Sequence, residues 1–208
     1  MTSDPRIPRS ESEAIAPSAQ HKADLRKQLL TARRAIDPAT RAAWDHTIGT
    51  RLVAWWHRAQ ASSVTRGATL ASLGVYWPLR DEPDLHAAYA ELARAGARLL
   101  LPVVVEKHAA LAFAEWRPGE AMVRDAMGVA VPADLRLQAM PDALLVPCLG
   151  FNGKRYRLGY GGGYYDRTLA ATPRPRTVGV AYGCLRVKFA HDGHDVPLDV
   201  VMTEDGEM

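Results

Sequence analysis

Short apolar segments that alternate with helical patterns limit the fold of this 208-residue chain more than any other feature. Segments rich in apolar and β-branched residues are typical of buried strands, and several of the stretches between them carry helical periodicity. The predicted strands span residues 69–77, 98–105, 111–116, 143–147, 177–182 and 200–203. Strands that alternate with helices indicate an α/β protein, with a three-layer α/β/α fold around a largely parallel central sheet.

Two helices are predicted before the first strand. Apolar residues recur there at the spacing of one helix face, at Leu25, Leu29, Ala32 and Ile36. Asp37 and Pro38 then indicate a new helix start, because aspartate caps helices and proline suits the first helical position. This second helix should run to about residue 58, and further helices are expected at 85–94 and 164–171.

Composition indicates one folded unit. Because 48% of the residues are hydrophobic, the chain can bury one sizeable core, and we predict a single domain over residues 21–208. Residues 1–20 mix prolines, serines and both charge signs without an apolar run, so we interpret them as a disordered N-terminal tail. The formal net charge of +3 gives no general argument for a nucleic-acid partner.

Cysteine usage and hydropathy indicate the cellular compartment of the protein. Cys148 and Cys184 lie far apart without a CxxC spacing, so the sequence indicates no disulfide framework and favours a reducing cytoplasm. No apolar run approaches the roughly 18 residues of a membrane span. His191 and His194 lack the neighbouring thiolates or third imidazole of a zinc site. We therefore expect a soluble cytoplasmic monomer with no membrane partner.

Four glycines fall within five residues in the segment Arg157-Leu-Gly-Tyr-Gly-Gly-Gly-Tyr-Tyr-Asp166, which we call the glycine segment. Glycines let backbone N–H groups approach a ligand closely, and a following helix adds the positive end of its dipole. A Walker A motif would need Lys-Ser/Thr after the last glycine, and a dinucleotide motif would need glycine at Tyr164. The glycine segment is therefore either a tight turn or a phosphate-binding loop of another kind.

Charged residues on both flanks favour the phosphate-binding loop. Arg157 offers a planar guanidinium that suits phosphate oxygens. Asp166 is suited to a divalent ion that bridges phosphates, because magnesium commonly uses one or two carboxylates plus substrate oxygens. The alternative for Asp166 is an acidic residue that is favoured near a helix start by the dipole alone.

The pattern as a whole resembles that of a known enzyme family. Arg-Leu-Gly-x-Gly-x-Gly-Tyr-Tyr-Asp, preceded by Val146-Pro-Cys-Leu-Gly-Phe151, is similar to the signature of 5-formyltetrahydrofolate cyclo-ligases, also called methenyltetrahydrofolate synthetases. The resemblance covers most of the chain from Lys22 to Glu204. It implies cyclisation of 5-formyltetrahydrofolate to 5,10-methenyltetrahydrofolate, with ATP as co-substrate, Mg²⁺ as cofactor, and release of ADP and phosphate.

The resemblance also implies roles for individual residues. The implied ATP site comprises Lys22, Arg26, Arg157, Leu158, Gly159, Tyr160, Gly161, Gly162, Gly163, Tyr164 and Tyr165. Glu82, after the first strand, is implied to bind the folate, and Asp166 and Asp195 are implied to bind magnesium. Arg157 and Tyr165 are the implied catalytic residues, Arg157 on the phosphates and Tyr165 on the formyl oxygen.

Several of these residues have an ordinary structural interpretation as well. Lys22, Arg26 and Arg33 lie within about 40° of each other on a helix of 100° per residue. Such a group can border a ligand, or it can be a solvated face whose stems cover apolar neighbours. Glu82 can be an exposed loop acid, and Tyr165 can be a packed aromatic residue.

Two positions depart from the family pattern. Gly162 stands where some members carry lysine, which would place more of the phosphate neutralisation on Lys22, Arg26 and Arg157, and Leu185 stands where glutamine is common. These departures motivate a second hypothesis, a non-catalytic nucleotide- or folate-binding paralogue. A third hypothesis, nucleic-acid binding, depends only on a basic isoelectric point of about 9.0 and ranks last.

Overall fold

The computed structural model describes residues 19–65, 67, 69–79 and 81–208, so most of the predicted tail lies outside the described residues. Two helices come first, α1 (Ala19–Arg34) and α2 (Pro38–Val64). The Asp37 side chain caps α2 by accepting a hydrogen bond of 3.0 Å from the Thr40 N–H. Among the described residues, no helix is long and apolar enough to cross a membrane.

Each predicted strand overlaps an observed one. The remaining elements are β1 (Ser72–Gly74), α3 (His86–Arg94), β2 (Arg98–Val103), β3 (Ala112–Trp116), β4 (Met122–Arg124), β5 (Ala130–Pro132), β6 (Leu137–Gln138), β7 (Ala143–Pro147), β8 (Gly150–Phe151), β9 (Arg157–Leu158), α4 (Tyr164–Leu169), β10 (Arg176–Val180) and β11 (Val200–Met202). The sequence did not predict the β4–β5 hairpin or the β8–β9 ribbon. Strands of two or three residues are too short to carry a periodic signal.

Seven strands form one mixed sheet in the order β11-β10-β7-β1-β2-β3-β6. The first five strands in this order are parallel to one another, and β1 pairs on one side with β2 and on the other with β7. β3 runs antiparallel to β2, and β6 runs antiparallel to β3. The predicted, largely parallel α/β sheet is therefore confirmed.

Both faces of the central strands are buried. Leu73, Leu99 and Leu145 pack in the core that contains residues of α1, α2 and α3, with Trp56 fully buried among them. Leu144 and Val146 alternate with Leu145 along β7 and belong to a second core, which Leu169 of α4 and Leu198 complete. The sheet thus lies between a thick helical layer and a thinner layer of α4 and C-terminal chain, and this double burial explains the apolar runs.

The parallel strands direct their following segments to one edge of the sheet. The loop that contains Glu82 follows β1, and the chain after β7 passes through the β8–β9 ribbon into the glycine segment. Ligands of open α/β sheets bind outside the carboxyl ends of the strands. The fold therefore brings these two distant segments to the edge where a ligand is expected.

Gly74 tests the close packing at the centre of the sheet. A Cβ at this position would lie 2.5 Å from Leu144 Cδ1 and 2.9 Å from Pro141 Cγ. We expect Gly74→Ala to lower the free energy of unfolding by about 1–3 kcal/mol, as overpacked cores do. Urea unfolding at equilibrium measures this change. Gly193→Ala is the matched control, because no described atom beyond its two chain neighbours lies within 4 Å of its Cβ position, and equal effects of the two variants would contradict the prediction.

Candidate active site

A cavity of about 570 Å³ lies at this edge of the sheet. Every residue to which the resemblance assigns a role lines it, from α1, the loop after β1, the glycine segment and the chain before β11. Its charged residues are Lys22, Arg26, Glu82, Asp125, Arg157, Asp166, Asp192 and Asp195. Apolar side chains that include Trp77, Leu79 and Met127 complete the lining. The structure thus brings the assigned residues together, while their individual roles stay predictions.

The backbone of the glycine segment requires two of its glycines. Gly161 has φ of 95° and Gly163, at the start of α4, has φ of 66°. Residues with side chains lose roughly 1–2 kcal/mol in this left-handed region. At Gly162 the φ angle imposes no such restriction, and a Cβ would instead lie 3.0 Å from Tyr164 Cδ2. A side chain at Gly162 therefore requires a shift of the Tyr164 ring but no change of backbone.

Two arginines hold the glycine segment in place through its carbonyl groups. Arg26 Nε donates a hydrogen bond of 2.8 Å to the Gly159 oxygen. Arg167 Nη2 donates one of 2.7 Å to the Gly162 oxygen, and its Nε bonds the Ala109 oxygen at 3.1 Å. Arg167 was not among the residues predicted from the sequence, although its place one turn after the last glycine lets it reach back. Because α4 has only six residues, its dipole contributes less than that of a longer helix.

Arg157 is a buried cation that is only partly satisfied. Its side chain is 7% exposed, Nη2 lies 2.8 Å from Asp166 Oδ1, and the guanidinium lies 5.4 Å from the centre of the Tyr165 ring. Within the described part of the chain, Nε and Nη2 have no partner with hydrogen-bond geometry, so the contact with Asp166 is an ion pair without a hydrogen bond. Buried N–H groups without partners are unfavourable. Arg157 also lines the cavity, where its positive charge favours an anion.

Lys22 connects α1 to the chain that precedes β11. Its Nζ donates hydrogen bonds to Asp192 Oδ2 at 2.7 Å and to Asp195 Oδ2 at 3.1 Å, and the residue is only 8% exposed. Burial by itself would lower the pKa of Lys22, but the two aspartates outweigh burial and the pKa is raised above 10.5. Lys22 is therefore a charged, enclosed side chain and not part of a solvated helix face.

Glu82 is 5% exposed, so it is not an ordinary exposed loop acid. Its Oε2 accepts a hydrogen bond of 2.9 Å from the Leu79 N–H, and its Oε1 accepts one of 2.8 Å from the Tyr160 hydroxyl. Arg33, which is fully buried, donates to the same hydroxyl. The role that the sequence left open for Arg33 is thus a contact with the glycine segment.

Oxygen donors are present for a magnesium ion, but they are few. Among the residues that the structure describes, no group of three or more His, Cys, Asp or Glu side chains could hold a metal ion. Asp166 pairs with Arg157, and Asp195 accepts from Lys22 and from the Asp192 N–H. This donor set fits magnesium, which binds through one or two carboxylates while phosphate and water oxygens supply the rest.

Burial determines the protonation of Tyr165 and Cys148 and the environment of Leu185. Burial, and next the charge of Glu82, raise the pKa of Tyr165, so this phenol stays protonated and can donate a hydrogen bond. Burial raises the pKa of Cys148 to about 12, which excludes a thiolate nucleophile at neutral pH. Leu185 is fully buried in the core that contains residues of α1, α2 and α3, so its side chain makes no polar contact with a ligand.

With this geometry established, comparison with known proteins identifies the family. The model of the 5-formyltetrahydrofolate cyclo-ligase family matches residues 18–204. The chain belongs to the 5-formyltetrahydrofolate cyclo-ligase family. It is therefore an enzyme of the ligase class, as the glycine segment and its flanks predicted.

Curated relatives and solved structures agree with this assignment. The 5-formyltetrahydrofolate cyclo-ligase of Escherichia coli K12 is 31% identical over 82% of this chain and 93% of its own length. That of Mycolicibacterium smegmatis is 32% identical over 89% of this chain and 95% of its own. The solved structure of a 5,10-methenyltetrahydrofolate synthetase from Aquifex aeolicus has a TM-score of 0.72 at 26% identity, and covers 89% of this chain and 91% of its own. The cyclo-ligase fold is thus shown over nearly the whole chain.

The β4–β5 hairpin is the part of the site that sequence reasoning missed. Asp125, Met127 and Val129 of its turn line the cavity. Met127 is 57% exposed, and the Asp125 carboxylate accepts hydrogen bonds of 2.9 Å from the N–H groups of Met127 and Val129. An aspartate followed three residues later by a glycine is the signal that predicts such a turn, but nothing in it indicates a binding site.

The ion pairs of Lys22 predict a dependence of stability on pH. Because the folded-state pKa of Lys22 is raised, its contribution is present below 10.5 and lost as pH rises through the folded-state value. We expect Lys22→Met to lower the free energy of unfolding by about 1–2 kcal/mol at pH about 8, less than for a fully buried pair because Asp192 is half-exposed. The gap should narrow as pH rises through the folded-state pKa of Lys22, which lies above 10.5.

Urea unfolding of both proteins across this pH range checks the prediction. Lys27→Met is the control, because Lys27 lies 3.8 Å from Asp24 at an exposed position, where ion pairs contribute little. A gap between wild type and Lys22→Met that stays constant to the highest pH would show that charge is not its cause.

Proposed function

We propose that this enzyme cyclises 5-formyltetrahydrofolate to 5,10-methenyltetrahydrofolate and consumes ATP to do so. The observation that supports the ATP-dependent form of the reaction is the set of three cations, Lys22, Arg26 and Arg157, that line one cavity together with the glycine segment. A phosphate group in the cavity is matched by these positive charges. The family to which the chain belongs supports the folate part of the proposal.

The triphosphate binds between α1 and the glycine segment. Arg157 contacts the phosphate oxygens through its planar fork, and Lys22 and Arg26 add positive charge from the same helix face. Gly161 and Gly163 leave the backbone N–H groups of the segment accessible. Because Arg26 also bonds the Gly159 oxygen, this cation holds the shape of the loop as well as its charge.

Asp166 and Asp195 are the residues that would hold magnesium beside the phosphates. The bound ion supplies charge neutralisation on the phosphate oxygens. In the protein alone, Arg157 balances Asp166 and Lys22 balances Asp195. Both carboxylates are partly exposed, and carboxylate oxygens are the ligands that a hard cation prefers.

The folate occupies the apolar part of the cavity. The Glu82 carboxylate accepts hydrogen bonds from the amino and ring N–H groups of the pterin, a polar match that an apolar wall does not offer. Trp77, Leu79 and Met127 cover the ring faces. The folate thereby lies next to the glycine segment, since Tyr160 connects that segment to Glu82.

In the reaction, the γ-phosphoryl group passes from ATP to the formyl oxygen, and ADP leaves. The formyl carbon then carries a good leaving group, nitrogen-10 attacks it, and loss of inorganic phosphate together with the nitrogen-10 proton leaves the 5,10-methenyl bridge. Tyr165, which burial keeps protonated, donates a hydrogen bond to the formyl oxygen. Alignment of the two substrates and stabilisation of charge are the main contributions of the protein in such transfers.

A turnover assay tests the proposal. Purified protein is incubated with 5-formyltetrahydrofolate, ATP and magnesium, and the absorbance of the methenyl product and the release of ADP are followed together. We expect one ADP for each methenyl group formed. Omission of ATP or addition of a magnesium chelator should stop the reaction, and product formation without ATP would overturn the proposal.

Arg157→Ala should lower kcat/KM for ATP on the order of 10²-fold, because it removes the cation that faces the transferred charge. Arg157→Lys should fall between the wild type and the alanine variant, since lysine keeps the charge but not the planar fork. Steady-state kinetics with varied ATP measures both effects. The control is Arg94→Ala, an exposed arginine at the end of α3 away from the cavity. An ATP dependence equal to that of wild type in Arg157→Ala would contradict the assigned role.

A further inference from the structure

Tyr160 lies in the middle of the glycine segment and reaches across to the loop that follows β1. Its hydroxyl donates a hydrogen bond of 2.8 Å to Glu82 Oε1 and accepts one from Arg33 Nη2. The Arg33 guanidinium carbon also lies 5.8 Å from the centre of the Tyr160 ring. One phenol group therefore connects the glycine segment, α1 and the carboxylate on the other side of the cavity.

The orientation of Glu82 depends on this contact. Its Oε2 is held by the Leu79 N–H of the same loop, and its Oε1 is held by Tyr160 from outside the loop. An ionised carboxylate has about four acceptor positions, more than these two bonds use. Two bonds on different oxygens restrict the plane of a carboxylate, and the Tyr160 bond is the one that comes from the glycine segment.

The Tyr160 hydroxyl stays protonated, so it can donate a hydrogen bond. Burial, and next the negative charge of Glu82, raise the pKa of Tyr160, while Arg33 opposes this shift only in part. The hydroxyl therefore keeps its proton through the physiological range. Arg33 is fully buried beneath it and orients the hydroxyl by donating to its oxygen.

Tyr160 follows any movement of the backbone that surrounds it. Gly159 and Gly161 flank it directly, and Arg26 contacts both sides, through a bond to the Gly159 oxygen and with its Cζ 3.5 Å from the position of a Cβ at Gly161. A phosphate that binds Arg26 and the loop N–H groups therefore acts on the residues that flank Tyr160. The position of the Tyr160 hydroxyl is thus set by the part of the protein that receives the phosphate.

We infer that Tyr160 is a positioning residue that couples the two substrates: phosphate binding settles the glycine segment, and Tyr160 then orients Glu82 toward the N–H groups of the folate. The inference rests on the proposed function, in which the segment binds ATP and Glu82 binds the folate. Coupling of this kind is reciprocal, so each ligand strengthens the binding of the other by the same factor.

Tyr160→Phe tests the inference, because it removes the hydroxyl and keeps the ring. Calorimetry gives the Kd of 5-formyltetrahydrofolate with and without the magnesium complex of a non-hydrolysable ATP analogue. In the wild type we expect the analogue to tighten folate binding on the order of 10-fold. In Tyr160→Phe the ratio of the two Kd values should fall to about two or less, and KM for the folate should rise more than kcat falls.

Tyr156→Phe is the matched control, because this tyrosine stacks on His191 outside the cavity and should keep the wild-type ratio. A wild-type ratio in Tyr160→Phe would overturn the inference. A ratio of one in the wild type, with both ligands bound, would also overturn it and leave the proposed function intact. Failure of the wild type to bind either ligand would contradict both the proposed function and the inference.

Discussion

The parallel pairing of β1 with both β2 and β7 is the constraint on which the rest of the structure depends. It places the chain after β1 and the chain after β7 side by side, although they are far apart in the sequence. The loop with Glu82 and the glycine segment are therefore neighbours across one cavity. A Cβ at Gly74 of β1 would lie 2.5 Å from Leu144 Cδ1 of β7, so these two strands pack closely together.

The charges of the site form pairs that span the chain. Arg157 with Asp166 lies within the glycine segment, whereas Lys22 with Asp195 joins α1 to the chain before β11. Each pair brings a cation suited to phosphate beside a carboxylate suited to a metal ion. Lys22 and Arg157 are enclosed, whereas their aspartate partners stay partly exposed beside the cavity that both pairs line.

The sequence predicted the sheet well because strands buried on both faces leave continuous apolar runs. It also predicted the family from the ten residues between Arg157 and Asp166, whose spacing is local. It could not predict that Lys22 would be enclosed by Asp192, which lies 170 positions away, because helical spacing gives only the face of α1 on which Lys22 lies. The β4–β5 hairpin was missed since its three-residue strands have no periodicity.

By itself, then, the sequence determined the order of the longer helices and strands and the family, because local spacing carries that information. Tertiary structure alone decided which side chains meet. It buried Arg33 and connected it to Tyr160, made Glu82 an enclosed carboxylate, and left Arg157 with two buried nitrogens that have no hydrogen-bond partner among the described residues. These outcomes depend on how distant segments pack around one sheet edge, and no local sequence pattern predicts that packing.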